Sequence, residues 1–176
     1  MHIVLLAAQS LDGRITRQTE SGDAFTSDLD KAHFSSVMQD FDACVMGRVT
    51  YEQSRPRIRP ERRPDLKRVV WTRSPDTYAS ETIPGALEFS SDDPAEITAR
   101  LRAEGRRRCA ILGGSQVNTA WLNAQLVDEL HLTLESSVFG SGTPLAQGCE
   151  ARNLRLLEAS ALAPGGPLVL RYSVIK

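Results

Sequence analysis

Short runs of Val, Ile and Leu alternate along this chain with segments in which apolar residues recur at helical spacing. Three of the runs, at 3–8, 43–46 and 109–112, contain no charged side chain. A strand that is apolar on both faces has to be covered on both faces, which is the situation of a parallel sheet between two layers of helices. The pattern therefore predicts an α/β domain and is untypical of a helix bundle or a β-sandwich.

The remaining segments fit this class of fold. Helices are predicted at 28–41, with Ser27 as the N-cap, from Gly47 onwards, at 94–105 and after Ser115. Further strands are predicted at 68–72, 87–89, 129–135, 154–161 and 168–174, with loops at 18–24 and 55–67. The strand at 129–135 alternates leucines with His131 and Thr133, so we expect one buried and one solvent-facing side, at a sheet edge or an interface. The last two strands are expected to form an antiparallel hairpin, and the 176 residues to form one domain, 1–176.

Composition argues against several classes of function. The net charge of -1 provides no field that would hold the chain on nucleic acid or on an anionic membrane. The apolar run at 3–8 is too short to span a bilayer. Cys44, Cys109 and Cys149 include no C-x-x-C pair, which predicts reduced thiols, no metal centre and a cytoplasmic protein. We therefore expect a small-molecule ligand, and neither a nucleic-acid nor a membrane partner.

Two glycine turns follow predicted strands, Gly113-Gly114-Ser115 after 109–112 and Gly47-Arg48 after 43–46. Glycine lets the backbone approach a ligand, and the helix start beyond it offers unpaired N–H groups that suit a phosphate. Thr72-Arg73-Ser74 ends a third strand with a cation between two hydroxyls, a composition that suits a 2′-phosphate. Because ligands of such sheets bind at the carboxyl ends of the strands, these turns predict a dinucleotide site. The alternative is that the glycines serve packing only and that the arginines are solvated.

Five blocks, in their order and spacing, resemble the reductase domain of the bifunctional riboflavin-biosynthesis deaminase-reductases and its stand-alone relatives. They are Ser10 to Ile15, Met46 to Glu52, Leu112 to Ser115, Leu126 to Leu132 and Gly140 to Leu145. The resemblance implies the three-layer dihydrofolate-reductase-like fold, in which a central, mostly parallel sheet with a C-terminal antiparallel hairpin carries helices on both faces. It also implies an NADPH-dependent oxidoreductase of riboflavin biosynthesis that forms a homodimer.

The same resemblance implies that NADPH lies along the strand ends. Ala8 and Ile15 would lie beside the nicotinamide, and Thr72 and Arg73 would hold the adenosine end. The other expected cofactor contacts are Gly47, Arg48, Thr50, Gly113, Gly114, Ser115, Gln116 and Val117. Hydride transfer is the chemistry of the cofactor, so neither a nucleophile triad nor a metal is expected.

Asp30 is the expected catalytic residue, because dihydrofolate reductase has a carboxylate at the matching place on its first helix that contacts the pterin and assists protonation. The alternative is structural, since a carboxylate three residues after the cap Ser27 stabilises a helix N-terminus. The expected substrate contacts are Asp12, Ser27, Lys31 and His33. The alternative for Asp12 is a turn residue, and for His33 a partly exposed helix position.

Two departures from the riboflavin reductases bear on the substrate. Leu112 stands where that family usually has Glu, and the first helix offers only Lys31 where the family tends to have a basic pair for the substrate phosphate. The predicted function is therefore NADPH-dependent reduction of a small nitrogen heterocycle or its ribosylamine. One alternative is dihydrofolate or pterin reduction, opposed by Asn118 in place of an aromatic residue. Another is non-catalytic binding of a dinucleotide, or of nucleic acid through the arginines at 55–68, where prolines and acidic residues interrupt the basic run.

Overall fold

The computed structural model describes residues 1–18 and 22–176, and one eight-stranded sheet forms its centre. The strands are β1 (His2–Ser10), β2 (Ala43–Gly47), β3 (Lys67–Trp71), β4 (Leu87–Ser90), β5 (Arg108–Ile111), β6 (Glu129–Glu135), β7 (Leu154–Ala161) and β8 (Leu168–Val174). The helices are α1 (Asp28–Val37), α2 (Arg48–Ser54), α3 (Pro94–Ala103) and α4 (Ser115–Asn123). Residues 19–21 of the loop predicted at 18–24 lie outside the described residues.

The strand order across the sheet is β4-β3-β2-β5-β1-β6-β8-β7. The strands from β4 to β6 in this order are parallel, whereas β8 is antiparallel to both β6 and β7. The predicted mostly parallel sheet with a C-terminal antiparallel hairpin is thereby confirmed. The carboxyl ends of β1, β2, β3 and β5 consequently meet at one edge, where a ligand can contact all of them.

The two faces of the sheet are covered by different helices. Ile3 and Leu5 of β1 face a core that includes Trp121 of α4 and the apolar residues of α3. Val4 and Leu6 of the same strand face a second core, to which Met38 after α1 and the apolar side of α2 contribute. Strands that are apolar throughout are thus buried on both sides, as predicted. Successive residues of such a strand point to opposite faces of the sheet, and each face is covered by its own layer of helices.

Several boundaries differ from the predicted ones. α1 ends at Val37 and is followed by a 3-10 turn, Met38–Asp40. The predicted loop at 55–67 contains two 3-10 turns, each with proline at its start, where the fixed φ of proline suits the first turn. β3 begins at Lys67, because that residue pairs with Ala43 in the ladder, and it ends before Thr72.

The prediction for β6 was wrong about its solvent-facing side, and the edge alternative for its position is contradicted. β6 lies between β1 and β8 rather than at an edge. Thr133 and Glu135, on its supposedly solvent-facing side, are buried at 6% and 7% exposure, and the amide of Ser27, which caps α1, donates to Glu135. The exposed edge on this side of the sheet is β7, all of whose residues are exposed.

Two of the three cysteines are buried in the fold. Cys44 and Cys109 are buried free thiols, and burial raises the pKa of the Cys44 thiol to about 12, which makes it unreactive. Within the described residues, no helix combines the length and the apolar character that a membrane crossing requires.

Candidate active site

A cleft of about 1450 Å³ opens where the strand ends meet on the side of α1 and α2. Its lining includes every residue predicted to hold the cofactor, namely Ala8, Ile15, Gly47, Arg48, Thr50, Thr72, Arg73, Gly113, Gly114, Ser115, Gln116 and Val117. Asp30, Lys31 and His33, which come from α1, line it as well. Residues far apart in the chain are therefore brought to one surface.

The two glycine turns touch each other and form one wall of the cleft. The amide of Gly47 donates to the carbonyl of Gly113 at 2.7 Å, and the peptide bond between Gly113 and Gly114 is cis. A Cβ atom on Gly47 would lie 3.1 Å from Cγ2 of Val117 and 3.6 Å from that carbonyl oxygen. A side chain at position 47 would therefore press on Val117, and glycine lets the two turns pack closely at the cleft wall.

The start of α4 presents unsatisfied donors to the cleft. Ser115 Oγ is buried and has no hydrogen-bond partner among the described residues, and no side chain caps the helix at Gly114. A hydroxyl and free N–H groups at a helix N-terminus are the donors that a phosphate group accepts from. This end of the cleft therefore fits the pyrophosphate of a dinucleotide.

The arginine and hydroxyl groups at the next strand ends fit the rest of a dinucleotide. Arg48 is exposed at the start of α2 and pairs with Glu52 at 2.8 Å. Arg73 is exposed and forms no ion pair with any described residue, while Thr72 is nearly buried and accepts the amide of Ser74 at 3.3 Å. Arg73 is consequently the cation in this region that remains available to an anionic ligand.

Sequence reasoning missed Trp71, which also lines the cleft beside Thr72. Its indole N–H donates to the carbonyl of Asp92 at 2.9 Å, and its ring packs edge-on against Trp121 with centroids 5.6 Å apart. An aromatic residue as the last residue of a strand, next to a predicted ligand turn, is the signal that could have identified it.

Asp30 lies in the cleft lining with only 7% of its surface exposed. Burial raises the pKa of this carboxyl above 3.8, the Thr133 hydroxyl acts against that shift, and the charge of Glu135 adds to it. Ser27 is the N-cap as predicted, since its hydroxyl accepts the amide of Asp30 at 3.2 Å. The reciprocal bond of a capping box is absent, because the amide of Ser27 donates to Glu135 instead.

Two predicted substrate contacts, Asp12 and Ser27, are not among the residues that line the cleft. Ser27 is occupied as the helix cap. The carboxylate of Asp12 accepts the hydroxyl of Ser10 at 2.6 Å and the amides of Phe139 and Gly140 at 3.0 and 2.8 Å. These bonds lower the pKa of Asp12 to about 2 and join the turn after β1 to the loop after β6. Asp12 is therefore a loop-fixing residue in this structure.

A basic wall, which we define as Arg57, Arg59, Arg62, Arg63 and Arg68, lines the end of the cleft near the C-terminus of α1. Arg57 pairs with Asp23 at 2.6 Å and Arg63 with Asp65 at 2.9 Å. Within the part of the chain that the structure describes, the other three form no ion pair. Arg68 is only 6% exposed and donates to the carbonyl of Leu66 at 2.8 Å, and burial lowers its pKa.

The basic wall changes the expectation drawn from Lys31. The segment 57–68 brings five arginines to the cleft lining, whereas α1 brings Lys31. Arg63 Nη1 donates to the carbonyl of Met38 at 3.1 Å, so the wall closes the cleft beyond the last turn of the helix. Asp30 and Val37 are seven residues apart, which is roughly 10 Å along a helix.

The sheet order, the C-terminal hairpin and the strand-end cleft define an α/β protein of the dihydrofolate-reductase-like class. The model of one family, the RibD C-terminal domain, matches residues 1–168, and the chain belongs to that family. The uncharacterized protein YwjB of Bacillus subtilis (strain 168) is 32% identical over 145 residues, which are 81% of this chain and 80% of YwjB.

Two solved structures illustrate the fold. A diaminohydroxyphosphoribosylaminopyrimidine deaminase/5-amino-6-(5-phosphoribosylamino)uracil reductase from Thermotoga maritima superposes with a TM-score of 0.80 at 15% identity over 99% of this chain and 56% of its own. Dihydrofolate reductase from Enterococcus faecalis, in complex with NADP(H) and RAB-propyl, superposes with a TM-score of 0.68 at 19% identity over 99% of this chain and 97% of its own. The predicted fold class is confirmed.

Proposed function

We propose that this protein is a cytoplasmic, NADPH-dependent reductase that transfers a hydride to a small nitrogen heterocycle or its ribosylamine. The observation that carries the proposal is the buried, unpartnered hydroxyl of Ser115 at the start of α4, beside two glycine turns in contact. Family membership and the name of the Thermotoga protein support a reductase. The Enterococcus complex with NADP(H) supports a nicotinamide dinucleotide. Dihydrofolate or pterin reduction is the second candidate, and the position of Asp30 in the cleft favours it.

Different residues along the cleft would bind the cofactor and donate a proton to the substrate. Ser115, Thr50 and Arg48 would hold the phosphates, Thr72 and Arg73 the adenosine end, and Ala8 and Ile15 the nicotinamide. NADPH, when bound, supplies the hydride. Asp30 would deliver a proton from its carboxyl oxygen to a ring nitrogen of the substrate, and its raised pKa keeps a larger fraction of that carboxyl protonated than in a free aspartate.

Cofactor preference is expected to depend on Arg73. We expect the protein to bind NADPH more tightly than NADH, and Arg73→Ala to weaken NADPH binding about tenfold because a charge-assisted hydrogen bond to the 2′-phosphate is lost. Affinity for NADH should change less than about twofold, since NADH lacks that phosphate. Isothermal titration calorimetry measures each Kd, with Arg155→Ala on the exposed strand β7 as the control. Binding of neither dinucleotide would rule out the reductase.

The basic wall supports a substrate with an anionic group. A heterocycle whose nitrogen reaches Asp30 could direct an anionic substituent toward the basic wall, which lies beyond the last turn of α1, roughly 10 Å from Asp30 along the helix. A buried guanidinium without a carboxylate partner is costly unless an anion approaches it, so its presence favours a ligand that supplies one. This reasoning favours a ribosylamine phosphate, or a pterin with an acidic tail, over a neutral heterocycle.

We further propose that the protein is a homodimer. The edge strand β7 supports this proposal, because Leu154, Leu156 and Leu157 are exposed beside unpaired backbone groups. Light scattering after size exclusion should give twice the 19.3 kDa of one chain, and Leu156→Lys should give a monomer. The matched control is Ile83→Lys, an exposed apolar residue beside the opposite edge strand β4. A wild-type monomer would rule the dimer out.

A further inference from the structure

The N-terminus of α1 is capped in a way that differs from the other capped helix of this chain. In α3, the amide of the N-cap Asp93 donates to Glu96, three residues on, at 3.2 Å, which completes a capping box. In α1 the N-cap is Ser27 and the residue three positions on is Asp30, an acid at the same spacing. The amide of Ser27 nevertheless donates to Oε1 of Glu135, 108 residues away, at 2.8 Å.

This replacement places two carboxyl groups in one buried environment. Asp30 and Glu135 are each 7% exposed, and the charge of Glu135 acts on Asp30. The other charged groups that act on Asp30 are Lys31 and His33, both on its own helix, and Lys31 also approaches Asp28 at 3.5 Å. Thr133 is the neighbouring polar group from β6.

We propose that Glu135 is the positioning residue for Asp30: by accepting the N-cap amide of α1, it leaves the carboxyl of Asp30 free of the cap and in the lining of the cleft. Two neighbouring buried carboxyls do not both ionise easily, and the one that receives a backbone N–H is the one better held as an anion. Glu135 receives that N–H from Ser27, and its charge favours the protonated form of Asp30, against the opposing effect of the Thr133 hydroxyl. A catalytic role for this pair of carboxyls rests on the proposed reductase function, whereas the NMR test of their interaction does not require turnover.

The test is a carbon-13 NMR titration of the aspartate carboxyls, with the Asp30 signal assigned by its loss in Asp30→Asn. We expect a wild-type midpoint above 3.8 and a midpoint lower by at least about one pH unit in Glu135→Gln, because the amide can still accept from Ser27 but carries no charge. Glu158→Gln removes one charge from the exposed strand β7 and should leave the midpoint unchanged. Circular dichroism melts confirm that each variant is folded.

The proposal is overturned if the Asp30 midpoint in Glu135→Gln stays within about 0.3 pH unit of wild type, or if Glu158→Gln lowers it equally. A second measurement needs no variant. Scalar coupling across the hydrogen bond should connect the amide nitrogen of Ser27 with the carboxyl carbon of Glu135, and coupling to that of Asp30 would overturn the proposal. In active protein, Glu135→Gln should also move the pH profile of kcat to lower pH. Absence of turnover would contradict the reductase function and leave both NMR readings decisive for Glu135.

Discussion

Asp30→Asn is expected to lower kcat for NADPH-dependent reduction by roughly 100- to 1000-fold, the usual contribution of a positioned general acid. The amide of asparagine has nearly the size of the carboxyl but has no acidic proton to give to a ring nitrogen. Because Asp30 lies on α1, away from the glycine turns, the Kd for NADPH should remain within about twofold of wild type. Steady-state kinetics and calorimetric titration measure the two quantities separately.

The pH dependence of kcat and of the melting temperature is a second test of Asp30→Asn. A carboxyl whose pKa is raised in the folded protein is protonated at low pH and loses its proton as the pH rises through that pKa. Wild-type kcat should therefore fall with rising pH through the pKa of Asp30, whereas the residual rate of Asp30→Asn should not. Folding stability follows the same sign: the favourable contribution of a raised pKa is present at low pH and is lost as the pH rises. Asp30→Asn should thus melt at a higher temperature than wild type at neutral pH, and the difference should shrink toward acid pH.

Asp28→Asn is the matched control, because Asp28 lies in the same helical turn with a fully exposed side chain. It should retain the wild-type kcat and pH profile. Equal loss of rate in the two variants would indicate an effect on α1 as a whole and would contradict a proton-donating role for Asp30.

The elements of the fold were predictable because their signals are local. The hairpin strands at 154–161 and 168–174 have the predicted bounds, since the turn residues Pro164 to Pro167 between them limit where the strands can end. The strands at 43–46 and 109–112 were found to within one residue at each end, because a run that is apolar on both faces has few alternatives to a covered parallel strand. The glycine turns after them line the cleft at the carboxyl ends of the strands.

The roles of individual polar residues were less predictable because their partners are distant in the chain. Asp12 bonds to amides 127 and 128 residues away, which no turn motif indicates. The buried state of Glu135 follows from α1 lying across β6, a tertiary contact that the alternation of leucines does not encode. The prolines and charges at 55–68 are typical of a solvated loop, and Arg57, Arg59 and Arg62 are exposed. That they also line the cleft depends on how this loop packs beside α1, which the loop pattern does not indicate.

Arg68→Gln is expected to weaken the binding of an anionic heterocycle about a hundredfold, the upper range for losing a hydrogen bond to a charged group in a buried site. The exposed arginines Arg59 and Arg62 are expected to contribute less, because water screens exposed charges. Arg59→Gln combined with Arg62→Gln should weaken binding of the anionic heterocycle about tenfold. Suitable probes are uridine 5′-phosphate against uridine for a phosphate, and folate against 6-methylpterin for carboxylates. The wild-type protein should prefer one anionic probe to its uncharged partner, and the variants should lose that preference.

The melting temperature of Arg68→Gln distinguishes a ligand-binding role of Arg68 from a structural one. If its charge served folding, Arg68→Gln would lower the melting temperature in proportion to its loss of affinity. Burial without a carboxylate partner disfavours the charged guanidinium, and glutamine can still donate to the carbonyl of Leu66, so the melting temperature should not fall. Arg155→Gln on β7 controls for net charge, and NADPH affinity should be unaffected in every variant. Equal affinity of the wild-type protein for charged and uncharged probes would contradict an anionic substrate, and the phosphate and carboxylate pairs together decide which acidic group the basic wall accepts.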